Sequence, residues 1–566
     1  MDCPPSVDPW ASTSREVSSI MNATTRLPSP TVLERNYTAL SETDPAISTR
    51  LSWPFGDKHL IRDEEGVVTG YMAALSERPL AVEWEGLEEA VRALPDEGPA
   101  LIFGLGLGEI LECTLRLRPE LSIVAWDRDP ALMIETLCRV DGAEAIREGR
   151  LRFALGVDLL DELEHASVLR HPLLSHIYWH EFAWLGQEIG LKRACVGTGR
   201  LFVDDLAVAL RSEEFTVLPI DFEGLAVEEA DYAIERFDPE LIAVINYTHG
   251  LAEFCEERGR ALRVWEIDPT TDQLQTLTTS SKHIRIHTWR KANVEEYRKA
   301  GFDNVEYLPL ASDTDKRRPL ELSAEELKEY SAAVSFVGSS LLAEGQQLRA
   351  DFEQLHSMWH AKGARGRRTL DRILAAQEQS PDRYVLPELA QEAFGSFLQA
   401  VRNTSQKIDP VALIAESASS VRRQQAIARL APYGLDVWGD DGWVGKVPAG
   451  GQYRGQAGHH RQLNRIYNAS TINVDIGRLY QLDIVTMRVF DILACGGFLI
   501  AERNEGLAEL FELGVELESY ATLDELEEKV GYYLRHPDAA RAIADCGMRA
   551  VREKHTIQQR VREILS

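Results

Sequence analysis

The residues best placed to do chemistry lie between Asp483 and Phe511, in DIVTMRVFDILACGGFLIAERNEGLAELF. The stretch reads as a short amphipathic helix, a Gly496-Gly497 turn, a buried strand from Phe498 to Ala501, then a loop and a second helix. Thr486, Arg488 and Asp491 fall on the first helix, and Arg488 and Asp491, three apart, share a face. Glu502, Arg503, Asn504 and Glu505 stand where the strand ends, and in an open α/β sheet that carboxyl end is where ligands bind. Carboxylates there can take ribose or sugar hydroxyls, while an arginine and helix-start amides can meet a diphosphate. An ordinary αβ unit with solvated charges would show the same pattern.

Three further places carry suitable residue types. A strand from Val334 runs into Gly338-Ser339-Ser340, a small-residue turn whose amides can hold phosphate. The strand Leu241–Ile245 exits through Asn246 to His249, and a neutral imidazole there can accept a hydroxyl proton or bond a sugar. Asp268, in WEIDP, competes as the base, or is a turn residue before Pro269. Nearer the amino end, the strand Pro99–Phe103 leads into Gly104-Leu105-Gly106-Leu107-Gly108 and a helix, and the next strand, Leu121–Trp126, ends at Asp127. Glycines at such a turn admit a ligand to the backbone, and the acid can hold ribose, so Gly104, Gly106, Gly108 and Asp127 form a possible nucleotide loop. Ile102 stands where methyltransferases often carry an acid, and a G-x-G-x-G also serves close helix–strand packing. The D-x-D of Asp127 and Asp129 fits this pattern better than a metal site, and no metal is expected.

These residues need a large α/β scaffold. At 566 residues the chain suits three or four domains, and its 44% hydrophobic share is that of a globular protein. A formal charge of −29 argues against nucleic acid and anionic membranes as general partners. The seven cysteines are scattered and never form C-x-x-C, which favours a reducing, cytoplasmic setting. No signal peptide or membrane span is read. Residues 1–30, rich in Ser, Thr and Pro, are expected to be a disordered tail. A helical region rich in Gln, Ala, Leu and Arg fills about 341–429. At the end, Thr556 reads as an N-cap, with Ile557, Val561 and Ile564 as an apolar stripe and Arg560, Arg562 and Glu563 pointing elsewhere.

The pattern T-x-R-x-F-D-x-x-A-x-G-G over Thr486–Gly497 resembles the carboxyl half of group 1 glycosyltransferases, more closely the spore-maturation CgeB-like branch. In that superfamily two acids eight positions apart flank this helix and touch the donor. Asp483 and Asp491 have the spacing, with Asp where Glu is usual. The resemblance spans about residues 230 to 566. It is carried by F-D-P-E-L-I, W-x-x-D-P, Y-x-x-A-G-F-x-N-V-x-Y-L-P-L-A, the strand into Gly338-Ser339, and YNASTINVDIG, in that order. ERNYTAL and ALIFGLGLGEILE, within about residues 35 to 165, resemble the methyltransferase-like Rossmann domain of motility-associated factor proteins, linked to flagellin glycosylation.

The resemblance implies a GT-B fold of two Rossmann-like domains, 191–325 for the acceptor and 326–566 for the sugar nucleotide, preceded by a Rossmann-like domain at 31–190. It implies a metal-independent glycosyltransferase with no tightly bound cofactor, moving a sugar from a nucleotide-sugar to a hydroxyl on a protein such as flagellin or on a glycan. Arg488, Asp483, Asp491, Gly338, Ser339, Gly496 and Gly497 would bind the donor, and His249 or Asp268 would be catalytic. An S-adenosylmethionine-dependent methyltransferase fused to a transferase-like module, and a non-catalytic scaffold, are the alternatives.

Overall fold

The computed structural model describes residues 31–566, except 74–75, 82–83, 97, 165–166, 188, 200, 269–273, 280, 360–362, 403–408 and 459–460. The tail read at residues 1–30 lies outside the described residues. The chain forms two compact units, Met1–Arg263 and Val264–Ser566.

The first unit begins with the helix Val32–Thr43, opened by a capping box between Thr31 and Glu34. Asp44 then caps a separate helix, Pro45–Arg50, whose first residue has no amide hydrogen to continue the earlier ladder. Strands β1 (Leu60–Arg62), β2 (Val68–Ala73) and β3 (Ser76–Pro79) form an antiparallel sheet that the sequence reading did not foresee. Strands β4 (Ala100–Phe103), β5 (Ile123–Asp127), β6 (Leu151–Leu155) and β7 (Val168–Arg170) make a parallel sheet ordered β6-β5-β4-β7. Next come β8 (Arg193–Gly197), β9 (Thr216–Ile220) and β10 (Leu241–Ile245), with β8 paired in parallel to both others. Strand β8 is not among the strands expected from the sequence. Buried Arg50 ties these parts together, its guanidinium forked onto Glu229 at 2.6 and 2.8 Å and reaching Asp158 at 2.5 Å.

Strand β11 (Ala261–Glu266) runs across the division between the units. In the second unit β12 (Ile284–Thr288) pairs in parallel with β13 (Val305–Tyr307). Six parallel strands follow: β14 (Val334–Val337), β15 (Leu435–Trp438), β16 (Gln452–Tyr453), β17 (Ile472–Val474), β18 (Leu499–Glu502) and β19 (Glu518–Tyr520). Their order, β16-β15-β14-β17-β18-β19, is the doubly wound order that places a ligand crevice at the carboxyl ends of its central strands. Four helices, Leu342–Trp359, Gly363–Glu378, Leu386–Arg402 and Pro410–Leu430, stand between β14 and β15 around their own core of Phe352, Leu370, Phe394, Phe397 and Ile414. No described helix is long and apolar enough to cross a membrane.

The helix Ile557–Leu565 closes the chain, entered through a capping box of Thr556 and Gln559. Ile557, Val561 and Ile564 are buried as their spacing requires. Arg560, expected to point outward, is buried too, and donates to the carbonyls of Pro309 at 2.9 Å and Leu310 at 3.5 Å. Apolar periodicity could not show this, because the stem of an arginine packs like an aliphatic residue while its head finds carbonyls.

Arg560 also donates to Nδ1 of His555 at 2.7 Å, which leaves His555 Nε2 to donate to the Leu510 carbonyl at 3.3 Å. Burial and the Arg560 charge push the imidazole down to about 4. The unfolded chain therefore takes up this proton near pH 6.5 while the folded one resists until about 4. Stability should fall through that window on acidification, at most by about 1.4 kcal/mol per pH unit from this group. Melting of the parent and His555→Gln at pH 7.5, 6 and 5 tests it; parallel curves would remove His555 as the cause.

Candidate functional site

Parallel order brings together the turns leaving β14, β17 and β18. Gly338 and Ser339 follow β14, Asp475 follows β17, and Arg488 reaches the same place from the helix Met487–Ala494. Arg488 is paired with Asp475. A Cβ on Gly338 would stand 3.2 Å from Arg488 Nη2 and 2.7 Å from the Phe336 ring, so a side chain there would displace the arginine. Arg423, from the helix Pro410–Leu430, comes in from above. Its Nη1 donates to Ser339 O at 2.7 Å and its Nη2 to Ile476 O at 3.0 Å, while its buried Nε has no hydrogen-bond partner. Both guanidinium groups stand against one ring, at 5.8 Å for Arg423 and 5.6 Å for Arg488 from the Phe336 centroid.

Charge is unbalanced here. Burial, with Arg488 and Arg478 close by, pushes the Arg423 guanidinium down to about 9. The carboxylates of Asp475 and Glu416 offset this incompletely, and Glu416, itself raised by burial, shares Arg478 with the more exposed Glu344, at 2.8 and 3.7 Å. Beside these arginines the helix Met487–Ala494 starts without a side-chain cap, and the buried Thr486 hydroxyl has no hydrogen-bond partner. An uncapped helix start next to guanidinium charge can attract an anion.

The other expected donor residues lie differently. Both oxygens of buried Asp491 are engaged, Oδ1 by the Ser312 hydroxyl at 2.6 Å and Oδ2 by Arg317 Nε at 3.0 Å. Asp483 is half-buried, 3.4 Å from Arg290 Nη2. Gly496 and Gly497 precede β18 and so sit at the amino ends of the strands, opposite Gly338 and Ser339. There Gly497 avoids Tyr467 O and Asn473, each 2.8 Å from where a Cβ would stand. A helix-to-strand turn necessarily falls at that end.

In the first unit the Gly104–Gly108 turn is filled by the chain's own side chains. A Cβ on Gly106, whose φ is 58°, would lie 2.4 Å from His171 Nε2; one on Gly104 would meet Leu174 at 2.8 Å and one on Gly108 would meet Val140 at 2.6 Å. Fully buried Asp127 accepts from Leu105 N at 2.7 Å, Asp129 N at 2.9 Å and Tyr178 OH at 3.0 Å, and burial raises its carboxyl to about 7. His249 is half-buried after Asn246, and Asp268, in the second unit, is exposed; Pro269 lies outside the described residues. Among the described residues no group of three or more His, Cys, Asp or Glu is placed to hold a metal ion.

The sequence reading missed Arg423 and Asp475. Asp475 could have been found by the strand-end argument applied to Glu502, since it follows the apolar run Ile472–Val474. Arg423 had only the Arg422-Arg423 pair as a signal.

Residues 422–566 match the family model described as glycosyl transferase-like. Among solved structures, the HepE protein of Anabaena in complex with UDP-glucose is similar at TM-score 0.40 and 10% identity, covering 66% of this chain and 98% of that one. A glycosyltransferase from Rickettsia africae gives 0.37 and 11%, covering 66% and 97%. The MAf glycosyltransferase of Magnetospirillum magneticum gives 0.19 and 13%, covering 50% and 57%. No curated protein sequence matches the chain.

Proposed function

We propose that the protein is a cytoplasmic GT-B glycosyltransferase of the CgeB-like branch, with the diphosphate of a nucleotide-sugar held at Arg488, Arg423 and the helix start at Thr486. The reading is carried by charge: three arginines meet beside two buried carboxylates, with a third, Glu344, mostly exposed beside Arg478, against an uncapped helix start. A diphosphate would supply the missing negative charge. The same cations would stabilise it as it leaves, without a metal. His249 or Asp268 would take the proton from the acceptor hydroxyl, and a protein such as flagellin, or a glycan, would be the acceptor.

Calorimetric titration with UDP-glucose, other sugar nucleotides and free UDP tests the reading. Binding that weakens with salt and with Arg488→Ala is expected. No binding by any of them would sink it.

His171 and Leu174 occupy the space over the Gly104–Gly108 turn, so S-adenosylmethionine is expected to leave the melting temperature unchanged. A saturable upward shift, lost in Asp127→Asn, would restore the methyltransferase reading.

A further inference from the structure

The helix Pro410–Leu430 does more than supply Arg423. Within Ser419–Arg423 it bonds the turns that leave three different strands. The Ser420 hydroxyl donates to Ser340 O at 2.8 Å, and Arg423 to Ser339 O, both after β14. After β17, Arg423 holds Ile476 O, and Leu479 N donates to the Ser419 hydroxyl at 3.1 Å. Leu479 itself is buried in the core of the four-helix insertion, with Tyr480 packed against it. At the end of β18, Arg422 grips Glu502 with both guanidinium ends, at 2.8 and 2.6 Å. Glu502 Oε2 in turn accepts from Gly477 N at 3.0 Å, so the pair reaches back to the turn after β17.

We infer that this helix positions the donor-side turns, with Arg422 a positioning residue that acts through Glu502 on the Gly477 turn. The inference rests on the donor reading above. A turn held in its bound shape beforehand does not have to be ordered by the ligand, so loss of the hold weakens binding while the reacting groups stay in place. The hold is stiff. The first insertion helix passes close enough that a Cβ on Gly345 would lie 2.8 Å from Ser417 Cα, and Arg422 Nε donates to Pro381 O at 2.5 Å. A planar fork is required, because a lysine can meet Glu502 at one point only.

The experiment measures UDP and UDP-glucose binding by calorimetry, and turnover at saturating donor, for the parent, Arg422→Met, Arg422→Lys, Glu502→Gln and the double variant Arg422→Met/Glu502→Gln. Donor Kd and KM should rise about tenfold in Arg422→Met, with kcat within about twofold of the parent and Arg422→Lys intermediate. The double variant should bind no worse than Arg422→Met alone. If Arg422→Met does not fold, Glu502→Gln carries the same expectation. Parent-like donor binding in the folded variants, or losses that add in the double variant, would overturn the inference alone. A parent that binds no sugar nucleotide would overturn the donor reading and this inference with it.

Discussion

Arg488→Ala is expected to lose donor binding and keep, or slightly raise, the melting temperature. A charge-assisted hydrogen bond to phosphate contributes about 1.5–3 kcal/mol, so Kd for the sugar nucleotide should rise by roughly 10–100-fold. Truncating a buried ion-pair partner is normally destabilising, because it strands the other charge. Here Asp475 is not stranded, since the Arg423 charge still attracts it. Removing Arg488 also removes the repulsion that, with burial, holds the Arg423 guanidinium down, and that relief works in favour of the fold. The expected signature is an inactive protein at least as stable as the parent, as for a group kept for function at the expense of stability. A variant that melts far lower, or binds donor like the parent, would contradict this assignment.

The second large effect concerns the closing helix. Deleting residues 556–566 is expected to unfold the second unit rather than merely loosen it. Ile557, Val561 and Ile564 are almost wholly buried, and burying such side chains contributes roughly 1.5–3 kcal/mol each. Loss of Arg560 removes the partner of the Pro309 and Leu310 carbonyls, and loss of Thr556 and Ile557 removes the bridge to Ser312, whose carbonyl accepts from Ile557 N at 3.2 Å. Together these approach the whole stability of a typical domain, about 5–15 kcal/mol. Arg560→Ala alone should cost about 1–3 kcal/mol through the unpaired carbonyls. Calorimetric melting of the truncated chain and of Arg560→Ala checks both; an unshifted transition in the truncated chain would make the helix a surface appendage.

Strands made of an unbroken apolar run of four or more were legible in the sequence. Strands β4 and β10 are unbroken apolar runs, and their expected bounds hold to within a residue. Strand β8 was not, because Ala194, Cys195 and Val196 between Arg193 and Gly197 are too few to show a period, and only its two neighbours make it a strand. At the site, Arg488 and the Gly338 turn were legible because a strand end and a helix start mark the same crevice. The surroundings of Asp491 were not. Its spacing from Asp483 could be counted, but that Ser312 and Arg317 take both its oxygens depends on a segment more than 170 positions away. Arg423 is the same case: an arginine on a helix says nothing of what the helix crosses.

The clasp between residues 309–312 and 555–560 also sets an order of assembly. The Pro309 and Leu310 carbonyls wait for Arg560, made about 250 residues later. At roughly 5–20 residues per second, that interval of synthesis lasts tens of seconds. Through that time the segment of Leu308, Leu310 and Ala311, all buried in the finished protein, lacks Arg560 and Ile557, which clasp it there. The second unit therefore cannot close while it is being translated, and the wait leaves an apolar segment open to chaperones or to misassembly.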